Sequence, residues 1–478
     1  MKLVKKLFIM IPCLLAGLTA SEWVDLGDVR PSQPIWDVNS ISESNIEITF
    51  ELGGYYQELL DNGKTRVSFP GGVPILERGA PEMSRMARSI IIPDLANMEL
   101  SVISTDFIDI PLDNVEPSKG NLTRDVDPST VPYTFGKAYE TNEFYPKDIV
   151  FLRDPYILRS LRGQTIVFQP IQYNPIERML RVHTHIEISI QENGQSQINA
   201  LTRRPFNGGS REFENMYKEH FLNYNTDERY DVLGEQGPML VISYGDFMDE
   251  MQTFVDWKNY KGIPTEMVDI ADVGDVDDMA QLIEDEYYEN GIAFVLLVGD
   301  IDQIETIRRS NGAGSNSPSD NSLTFVAGSD FYPDLIIGRF SAETGDHVQT
   351  MIDRTIAYEM NPDPSADWYK KGCGFASSQG PGDDGEDDDE HLDNIRELLL
   401  DYTYNEIDQI YDPNGTVAQG EAAINEGRSI INYTGHGSNG SWGNGCPMNN
   451  TDVNGLVNTG MYPFIWSVAC VNGEFEQG

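Results

Sequence analysis

Two residues near the carboxyl end of the chain have types and surroundings that could do chemistry. His436 stands between two glycines in YTGHGSNGSWG, and Cys470 stands in VACVNG. A cysteine thiolate can attack a peptide carbonyl, and a neighbouring imidazole can protonate the amine that leaves. The flanking glycines let the backbone approach a substrate carbonyl, so the N–H groups of Gly437 and Cys470 could form an oxyanion hole. The pair predicts hydrolysis by a cysteine nucleophile.

The other cysteines of this half are weaker candidates. Cys446 lies in a polar Gly/Asn loop, and Cys373 lies inside a predicted strand. A cysteine at the end of a buried strand is usually a small core residue, and a histidine between glycines is usually an ordinary loop residue. The catalytic interpretation of His436 and Cys470 therefore depends on their occurring together, at the ends of consecutive strands.

Those strands belong to a region in which strands and helices alternate from about residue 237. The predicted strands are 238–245, 265–270, 293–300, 334–340, 372–378, 428–435 and 464–470, and the predicted helices are 246–262, 275–291, 347–360 and 390–402. This alternation predicts a mostly parallel α/β sheet with helices on both faces. Functional groups collect at the carboxyl ends of such strands. If 428–435 and 464–470 are neighbours, His436 and Cys470 emerge at one edge.

The region from 21 to 229 has a different pattern. Segments 45–54, 164–173 and 181–192 alternate apolar and polar residues, as half-buried strands do. We therefore expect a β-rich region before the α/β region. His183 and His185 fall on one predicted strand face, and without a third ligand we interpret them as polar residues of that face rather than as metal ligands.

The composition excludes several classes of function. The chain has 33 Lys and Arg against 77 Asp and Glu, a formal net charge of −44, which opposes binding to nucleic acid and suits cations or basic peptides. Six histidines with no HExxH motif and no paired CxxC motif argue against a zinc hydrolase. Four cysteines in 478 residues exclude a disulfide scaffold. The predicted chemistry requires no cofactor.

Residues 1–20, MKLVKKLFIMIPCLLAGLTA, have the pattern of a signal peptide. Lys2, Lys5 and Lys6 precede an apolar run that is too short to anchor the chain in a bilayer, and we expect cleavage after Ala20. No later stretch approaches ~20 apolar residues, so no transmembrane segment is predicted. The mature chain is expected to be exported, with an odd number of cysteines and hence at least one free thiol.

Several segments together resemble the gingipain family of cysteine peptidases. They are FVDWKNYKGIPTE, VLLVGD, LIIGRFSAET, IDRTIAYE, INYTGHGSNGSWG and PFIWSVACVNGEF, in family order from about residue 238 to the end. The segment 72–94, GVPILERGAPEMSRMARSIIIPD, resembles the family's propeptide. The resemblance implies a caspase-like α/β catalytic domain, with Cys470 as nucleophile and His436 as its partner.

The same resemblance implies a domain organisation and a location. Residues 1–20 would be the signal peptide and 21–229 a β-rich propeptide, followed by two catalytic subdomains at 230–345 and 346–478. The protein would be secreted by a bacterium or displayed on its surface.

The best-known members of the family cleave after Arg or Lys, with an acidic residue at the base of the S1 pocket. Aligning GEDDDEH (385–391) with the corresponding family segment puts Asp388 at that position, and a carboxylate suits a guanidinium partner. Seven of the eight residues from Asp383 to Glu390 are acidic, so the register could slip to Asp387 or Asp389. A solvated acidic loop or a structural calcium site stays an open alternative.

Two further positions follow from the resemblance. The family's enzymes carry a Glu in an SAEG-like turn that helps to orient the catalytic histidine, whereas this chain reads SSQG with Gln379 at that place. A glutamine can accept the same hydrogen bond but brings no charge, so it would stabilise an imidazolium less. Val468 matches a family position that lines the S1 pocket.

The junction between the two regions reads NTDERYDVLGEQGPMLVI. Arg229 precedes Tyr230 in this polar stretch, and an arginine there matches the predicted acidic pocket. We expect the proform to be cut after Arg229 by the enzyme itself or by another peptidase, and residues 21–229 to inhibit and chaperone the catalytic region until then. An ordinary interdomain linker with an incidental arginine is the alternative.

The chain stops at Gly478, eight residues after Cys470. The resemblance implies that further strands and helices, an immunoglobulin-like domain and a secretion signal follow, so we expect the sequence to be a fragment of a longer protein. Three functions stay open: an exported cysteine endopeptidase made as a zymogen and acting after basic residues, an inactive surface or adhesion protein on the same scaffold, and a related peptidase with non-basic specificity.

Overall fold

The computed structural model describes residues 21–39, 42–60, 62–122, 126–206, 209–224, 236–310, 316–380 and 386–476. The predicted signal peptide at 1–20 and the predicted processing site at Arg229 and Tyr230 lie outside these ranges. No helix in the described part of the chain is long and apolar enough to cross a membrane.

The first half of the chain is built from antiparallel strands. Its elements are β1 (Glu22–Asp25), β2 (Ile35–Val38), β3 (Asn45–Glu51), β4 (Gly54–Leu59), β5 (Thr65–Ser68), β6 (Val73–Pro74), β7 (Ser84–Ile91), β8 (Ala96–Pro111), β9 (Val150–Leu152), β10 (Tyr156–Leu158), β11 (Leu161–Phe168), β12 (Ile171–Asn174), β13 (Met179–Gln195) and helix α1 (Arg211–His220). They form a three-stranded sheet in the order β1-β4-β5 and two five-stranded sheets, β10-β11-β7-β6 with β9 on β11, and β12-β13-β3-β2 with β8 on β13.

Alternation of side chains explains the core of this half. Ile46, Ile48 and Phe50 on β3 lie opposite Ile190, Ile188 and Ile186 on β13, and all six are fully buried. Successive side chains of a strand point to opposite faces, so every second residue enters the core. The predicted strand 164–173 is interrupted, since β11 ends at Phe168 and β12 begins at Ile171, with Pro170 between them. Proline cannot donate to the ladder, which explains the break.

The second half alternates strands and helices. Its elements are β14 (Met239–Ser243), α2 (Met248–Tyr260), β15 (Thr265–Asp269), α3 (Ile270–Val273), α4 (Val276–Asn290), β16 (Phe294–Val298), β17 (Arg308–Ser310), β18 (Asn316–Pro318), β19 (Ile336–Phe340), α5 (Gly345–Met360), β20 (Lys371–Ala376), α6 (Asp388–Tyr402), β21 (Glu406–Tyr411), α7 (Val417–Glu426), β22 (Ile430–Thr434), β23 (Gly437–Ser438), β24 (Ser441–Trp442), α8 (Asn450–Asn454) and β25 (Phe464–Val468).

The long strands of this half are all parallel to their neighbours, but they form two sheets. The first has the order β15-β14-β16-β19 and the second the order β21-β20-β22-β25. The expected fold class, parallel sheet with helices after a β-rich region, is confirmed. β25 is the last strand of the second sheet, and all five of its residues are exposed, with Phe464 at 59% and Trp466 at 58%.

The two histidines of β13 differ in burial. An irregularity in the pairing with β8 lies between them; His183 is buried and His185 is half-exposed. His183 Nε2 donates to Gln172 Oε1 at 3.0 Å, and its Nδ1 lies 2.8 Å from Thr105 Oγ1. Its neighbours are therefore the polar groups of a buried network.

Burial lowers the pKa of His183 to about 4, from about 6.5 in an unfolded chain. The folded state thus favours the neutral imidazole, and this contribution to the free energy of unfolding is present above pH 6.5 and is lost as the pH falls toward 4. We predict that His183→Gln flattens the fall in urea-unfolding free energy between pH 7 and 4. His185→Gln is the control from the same strand; an unchanged slope in His183→Gln would contradict the prediction.

Candidate active site

Parallel pairing of β22 with β25 brings the two reactive candidates to one edge. Thr434 at the end of β22 lies opposite Val468 at the end of β25, and the ladder continues with Gly435 N donating to Val468 O at 3.2 Å. His436 and Cys470 each follow two residues after this matched pair. The strands are parallel, as the sequence predicted, and they are neighbours, which was the condition for His436 and Cys470 to meet. The roles of the two residues stay predictions.

His436 stands at the base of a short hairpin formed by β23 and β24. Gly437 lies opposite Trp442, and Gly443 N donates to His436 O at 2.8 Å. Hydrogen-bonded and non-bonded pairs alternate along an antiparallel ladder, so the N–H of Gly437 points away from its hairpin partner. A Cβ at Gly437 would lie 2.7 Å from the Ala469 side chain and 2.8 Å from Cys470 O. Only glycine lets the hairpin approach the Cys470 turn this closely.

Cys470 is exposed in the turn that follows β25. The next residue, Val471, has a φ of 51°, in the left-handed region that a β-branched residue rarely adopts. Backbone strain of this kind persists only where the surrounding structure enforces it, and it concentrates at functional sites. The strained turn reverses the chain directly after the thiol and leaves the Sγ atom accessible.

Gln379 contacts the histidine, as expected from its place in the sequence. Its Oε1 accepts a hydrogen bond from His436 Nε2 at 2.7 Å. A neutral imidazole that donates through Nε2 has an unprotonated Nδ1, so the tautomer leaves Nδ1 available to a thiol. The contact orients the ring without supplying a charge.

Asn472 is a site residue that sequence reasoning missed. Its Nδ2 donates to Ser438 O and, at 3.3 Å, to Ser441 O, both in the hairpin after His436. Its Oδ1 accepts from Ser467 Oγ at 2.9 Å, and Ser467 Oγ in turn accepts from Trp442 Nε1 at 2.9 Å. Asn472 therefore ties the Cys470 turn to the hairpin. The only signal in the sequence was its place two residues after the cysteine.

A second missed set fixes the backbone of the histidine. Asn444 Oδ1 accepts from His436 N at 3.0 Å, while Asn444 Nδ2 donates to Asp412 Oδ2 at 2.8 Å. Tyr433 OH donates to His436 O and accepts from Gly443 N. The backbone on both sides of the imidazole is thus hydrogen-bonded to side chains of the same sheet edge.

Asp388, the candidate S1 residue, is the first residue of α6 and is 9% exposed. Its carboxylate accepts a hydrogen bond from Ser377 Oγ, and its N–H donates to Gln379 O at 2.9 Å. Ser377 directly follows β20, the neighbour of β22. Asp388 therefore lies at the same sheet edge as His436, connected to it through Gln379. Ser377 was not anticipated from the sequence.

Its neighbours in the acidic run, Asp387 and Asp389, are half-buried. Burial and the charges of Asp389 and Asp388 raise the pKa of Asp387. Residues 383–385 of the run lie outside the described ranges. Within those ranges, no group of three or more His, Cys, Asp or Glu is arranged to hold a metal ion. Val468, the second S1 candidate, is 54% exposed.

The other two cysteines are buried in the core of the second sheet. Burial raises the pKa of Cys446 to about 12 and that of Cys373 well above the usual range of a thiol. A thiol that stays protonated is a poor nucleophile. Of the three cysteines in the described part of the chain, Cys470 is the exposed one.

The profile of peptidase family C25 matches residues 233–478, which include both parallel sheets and the His436/Cys470 edge. The chain belongs to peptidase family C25. The profile of the C25 propeptide matches residues 37–229. The resemblance recognised in the sequence is confirmed.

Known members of the C25 family cover nearly the whole chain. Gingipain R1 of Porphyromonas gingivalis is 35% identical over 97% of this chain and 46% of its own length. Gingipain R2 of the same organism is 37% identical over 85% of this chain and 56% of its own length. The chain thus spans about half the length of these relatives. The crystal structure of the Arg-specific cysteine proteinase gingipain R is 36% identical, with a TM-score of 0.48 over 53% of this chain and 58% of that one.

Gln379 contacts the imidazole without a charge. We therefore predict that a charged residue at this position changes the reactivity of the Cys470 thiol. Gln379→Glu should stabilise the imidazolium and with it the Cys470 thiolate, because a charged acceptor makes a stronger hydrogen bond. We expect alkylation of Cys470 by iodoacetamide at pH 7 to accelerate by up to about tenfold, equivalent to about 1.4 kcal/mol. Gln349→Glu adds the same charge on the exposed side of α5 and should leave the rate unchanged. Equal rates in all three proteins would contradict the role given to Gln379.

The hydrogen bonds between Asn472 and the hairpin after His436 lead to a second prediction. Asn472→Ala should leave the chain folded but release the Cys470 turn from the hairpin, and a misplacement of about 1 Å can cost about 100-fold in rate. We expect kcat for peptide hydrolysis to fall by about that factor with KM nearly unchanged. Asn454→Ala, an exposed asparagine of α8, is the matched control. A rise in KM without a fall in kcat would instead indicate a substrate contact.

Proposed function

We propose that this chain is the proform of an exported cysteine endopeptidase that cleaves after basic residues, with arginine preferred over lysine. The observation that carries the proposal is the pairing of β22 with β25, which brings His436 and an exposed Cys470 to one sheet edge with Gln379 on the imidazole. Membership of the C25 family supports the same chemistry.

The proposed reaction uses two side chains and two backbone N–H groups of this chain. Cys470 Sγ attacks the scissile carbonyl carbon, and His436 transfers a proton to the amine as the C–N bond breaks. Water then attacks the resulting thioester, with His436 accepting its proton, and the thiolate leaves. The N–H groups of Gly437 and Cys470 are proposed to stabilise the oxyanion of both tetrahedral intermediates.

The preference for a basic P1 residue is proposed for Asp388. Its carboxylate lies at the catalytic edge, largely withdrawn from solvent and held by Ser377. A carboxylate in such a place can pair with a guanidinium in two parallel hydrogen bonds, and pairing is stronger where water is excluded. The arginine at the predicted processing junction, Arg229, supports arginine over lysine.

The first half of the chain is proposed to be the inhibitory propeptide, in agreement with the family profile over residues 37–229. Cleavage after Arg229 would release Tyr230 as the new amino terminus, and residues 1–20 would direct export. An arginine at this junction suits the proposed S1 carboxylate, so self-processing is part of the proposal.

The test is hydrolysis of fluorogenic peptides with Arg, Lys, Asn or Asp at P1, in reductant, by the full product of the gene. We expect cleavage after Arg and, more slowly, after Lys, and no cleavage by Cys470→Ala or His436→Ala. Asp388→Asn should lower kcat/KM for the Arg peptide by at least about 30-fold, because removing one charge of a buried ion pair weakens the interaction by at least about 2 kcal/mol. Asp401→Asn, at the exposed end of α6, is its control.

The other outcomes decide between the remaining interpretations. Cleavage after Asn or Asp alone would keep Cys470 as nucleophile and discard Asp388 as the selector. Absence of cleavage by a folded and processed protein would favour an inactive scaffold. Sequencing of the mature amino terminus checks the processing site, and a start elsewhere than Tyr230 would discard Arg229.

A further inference from the structure

A hairpin of the first half inserts an arginine into the second half of the chain. β10 and β11 are joined by a tight turn at Arg159, whose side chain is 1% exposed. Nη1 donates to Ile292 O and to Asp334 O, each at 3.0 Å, and Nη2 donates to Gly291 O at 2.8 Å. All three carbonyls belong to the first α/β sheet region, more than 130 residues away along the chain.

The backbone of the same residue is also recognised. Arg159 N donates to Asp334 Oδ1 at 2.7 Å, and Tyr287 OH donates to Arg159 O at 2.8 Å. The guanidinium carbon lies 5.4 Å from the centre of the Tyr287 ring. We call Gly291, Ile292, Asp334 and Tyr287 the arginine socket. Its three carbonyl oxygens accept from the planar fork of N–H groups of the guanidinium. An ammonium group could not donate to all three in the same geometry.

Apolar contacts surround the socket and exclude water from it. Tyr156 stacks on Tyr332 with ring centres 3.8 Å apart and an angle of 13° between the rings. Ile157 packs in the core cluster of the first α/β sheet. A buried arginine within a rim of packed aromatic and aliphatic residues is the usual anatomy of an interface hot spot.

The backbone of Arg159 adopts the left-handed conformation that a two-residue hairpin turn favours at its first central position. Its φ is 52°, a conformation that glycine or asparagine adopts more easily. Arg178, in the turn between β12 and β13, has the same φ of 52°, but its side chain is 68% exposed and pairs with Asp113. The two arginines share a backbone conformation and differ in their partners.

The socket and the segment that follows the Cys470 turn contact opposite ends of the strands of the first α/β sheet. Gly291 and Ile292 precede β16, and Asp334 precedes β19, so the socket is at the amino ends of these strands. At their carboxyl side, the segment after Cys470 contacts the sheet. There Glu476 pairs with Arg308 at 2.6 Å, and Phe475 lies 5.1 Å from the Arg339 guanidinium.

We infer that the arginine socket is a guanidinium-specific anchoring site that keeps the Tyr156–Leu161 hairpin, and with it the first half of the chain, bound after the connection through residues 225–235 is cut. The inference rests on the proposed function for the identity of the first half as a propeptide. It adds that the site that holds the first half lies away from the catalytic edge. Holding the first half and inhibiting the catalytic site are therefore separable properties.

The test measures association and needs no peptidase activity. A full chain with Cys470→Ala and with the recognition sequence of an unrelated protease between Arg229 and Tyr230 is cut by that protease. The two pieces are then diluted and separated by size-exclusion chromatography. We expect them to co-elute, and Arg159→Asn to raise the dissociation constant by at least about 30-fold. A failure of the proposed peptidase activity would leave this result unaffected.

Arg178→Asn is the matched control, because it makes the same substitution at the same φ in a turn whose arginine pairs with Asp113 of the first half. It should co-elute like the parent. Asparagine relieves the backbone strain at both positions, so a purely structural role of Arg159 in its hairpin predicts unchanged or tighter association. Co-elution of Arg159→Asn at the parent's concentrations, or separation of the parent itself, would overturn the inference.

Folding of each uncut variant is checked by circular dichroism. If uncut Arg159→Asn is unfolded, Arg159→Lys replaces it. Lysine keeps the charge and a long side chain but lacks the planar fork of N–H donors. The same two outcomes then apply. If the two pieces of the variant separate at a concentration at which the pieces of the parent stay together, the anchor is supported. If they co-elute as the pieces of the parent do, the inference is overturned.

Discussion

The register between β22 and β25 is the constraint on which the candidate site depends. Thr434 opposite Val468 sets His436 and Cys470 at the same height beyond the sheet. Because side chains alternate with a period of two, a slip of one residue would turn the thiol to the other face of the sheet and move it by about 3.3 Å. Neither the imidazole nor the hairpin that follows it could compensate for such a slip. The apolar residues of these two short strands therefore contribute to chemistry by fixing a register.

The parts that complete the site are hydrogen bonds between loops rather than further packing. Gln379 orients the ring from the loop after β20, and Asn472 joins the cysteine turn to the histidine hairpin. Each bond connects elements that are close in the fold and distant in the chain. This arrangement lets two exposed loops hold a defined geometry at a sheet edge that is open to a peptide. A neutral amide on the imidazole preserves orientation while giving up electrostatic support, which separates two effects that a carboxylate would combine.

Much of this was predictable, for identifiable reasons. The strands that carry His436 and Cys470 are short apolar runs, and consecutive strands of an α/β region tend to be neighbours. β21 and α7 were not predicted, because EIDQIY mixes polar and apolar residues and VAQGEAAINE has a weak apolar stripe. Asn472 could not be given partners, since Ser438 and Ser467 come together only in the folded chain. Arg159 could not be distinguished from Arg178 by sequence, although one is buried in a socket and the other is exposed.

The exposed strand β25 has a consequence for the behaviour of the chain in solution. In the described part of the chain, only β22 pairs with it, so the outer row of its backbone N–H and C=O groups faces solvent. Such a strand opens locally at lower cost than the strands between two neighbours, and its amides exchange with solvent deuterium first. An apolar edge of this kind accepts a further strand, either from the same polypeptide or from another molecule. The strand that presents the thiol is thus also the one at which the second sheet can be extended.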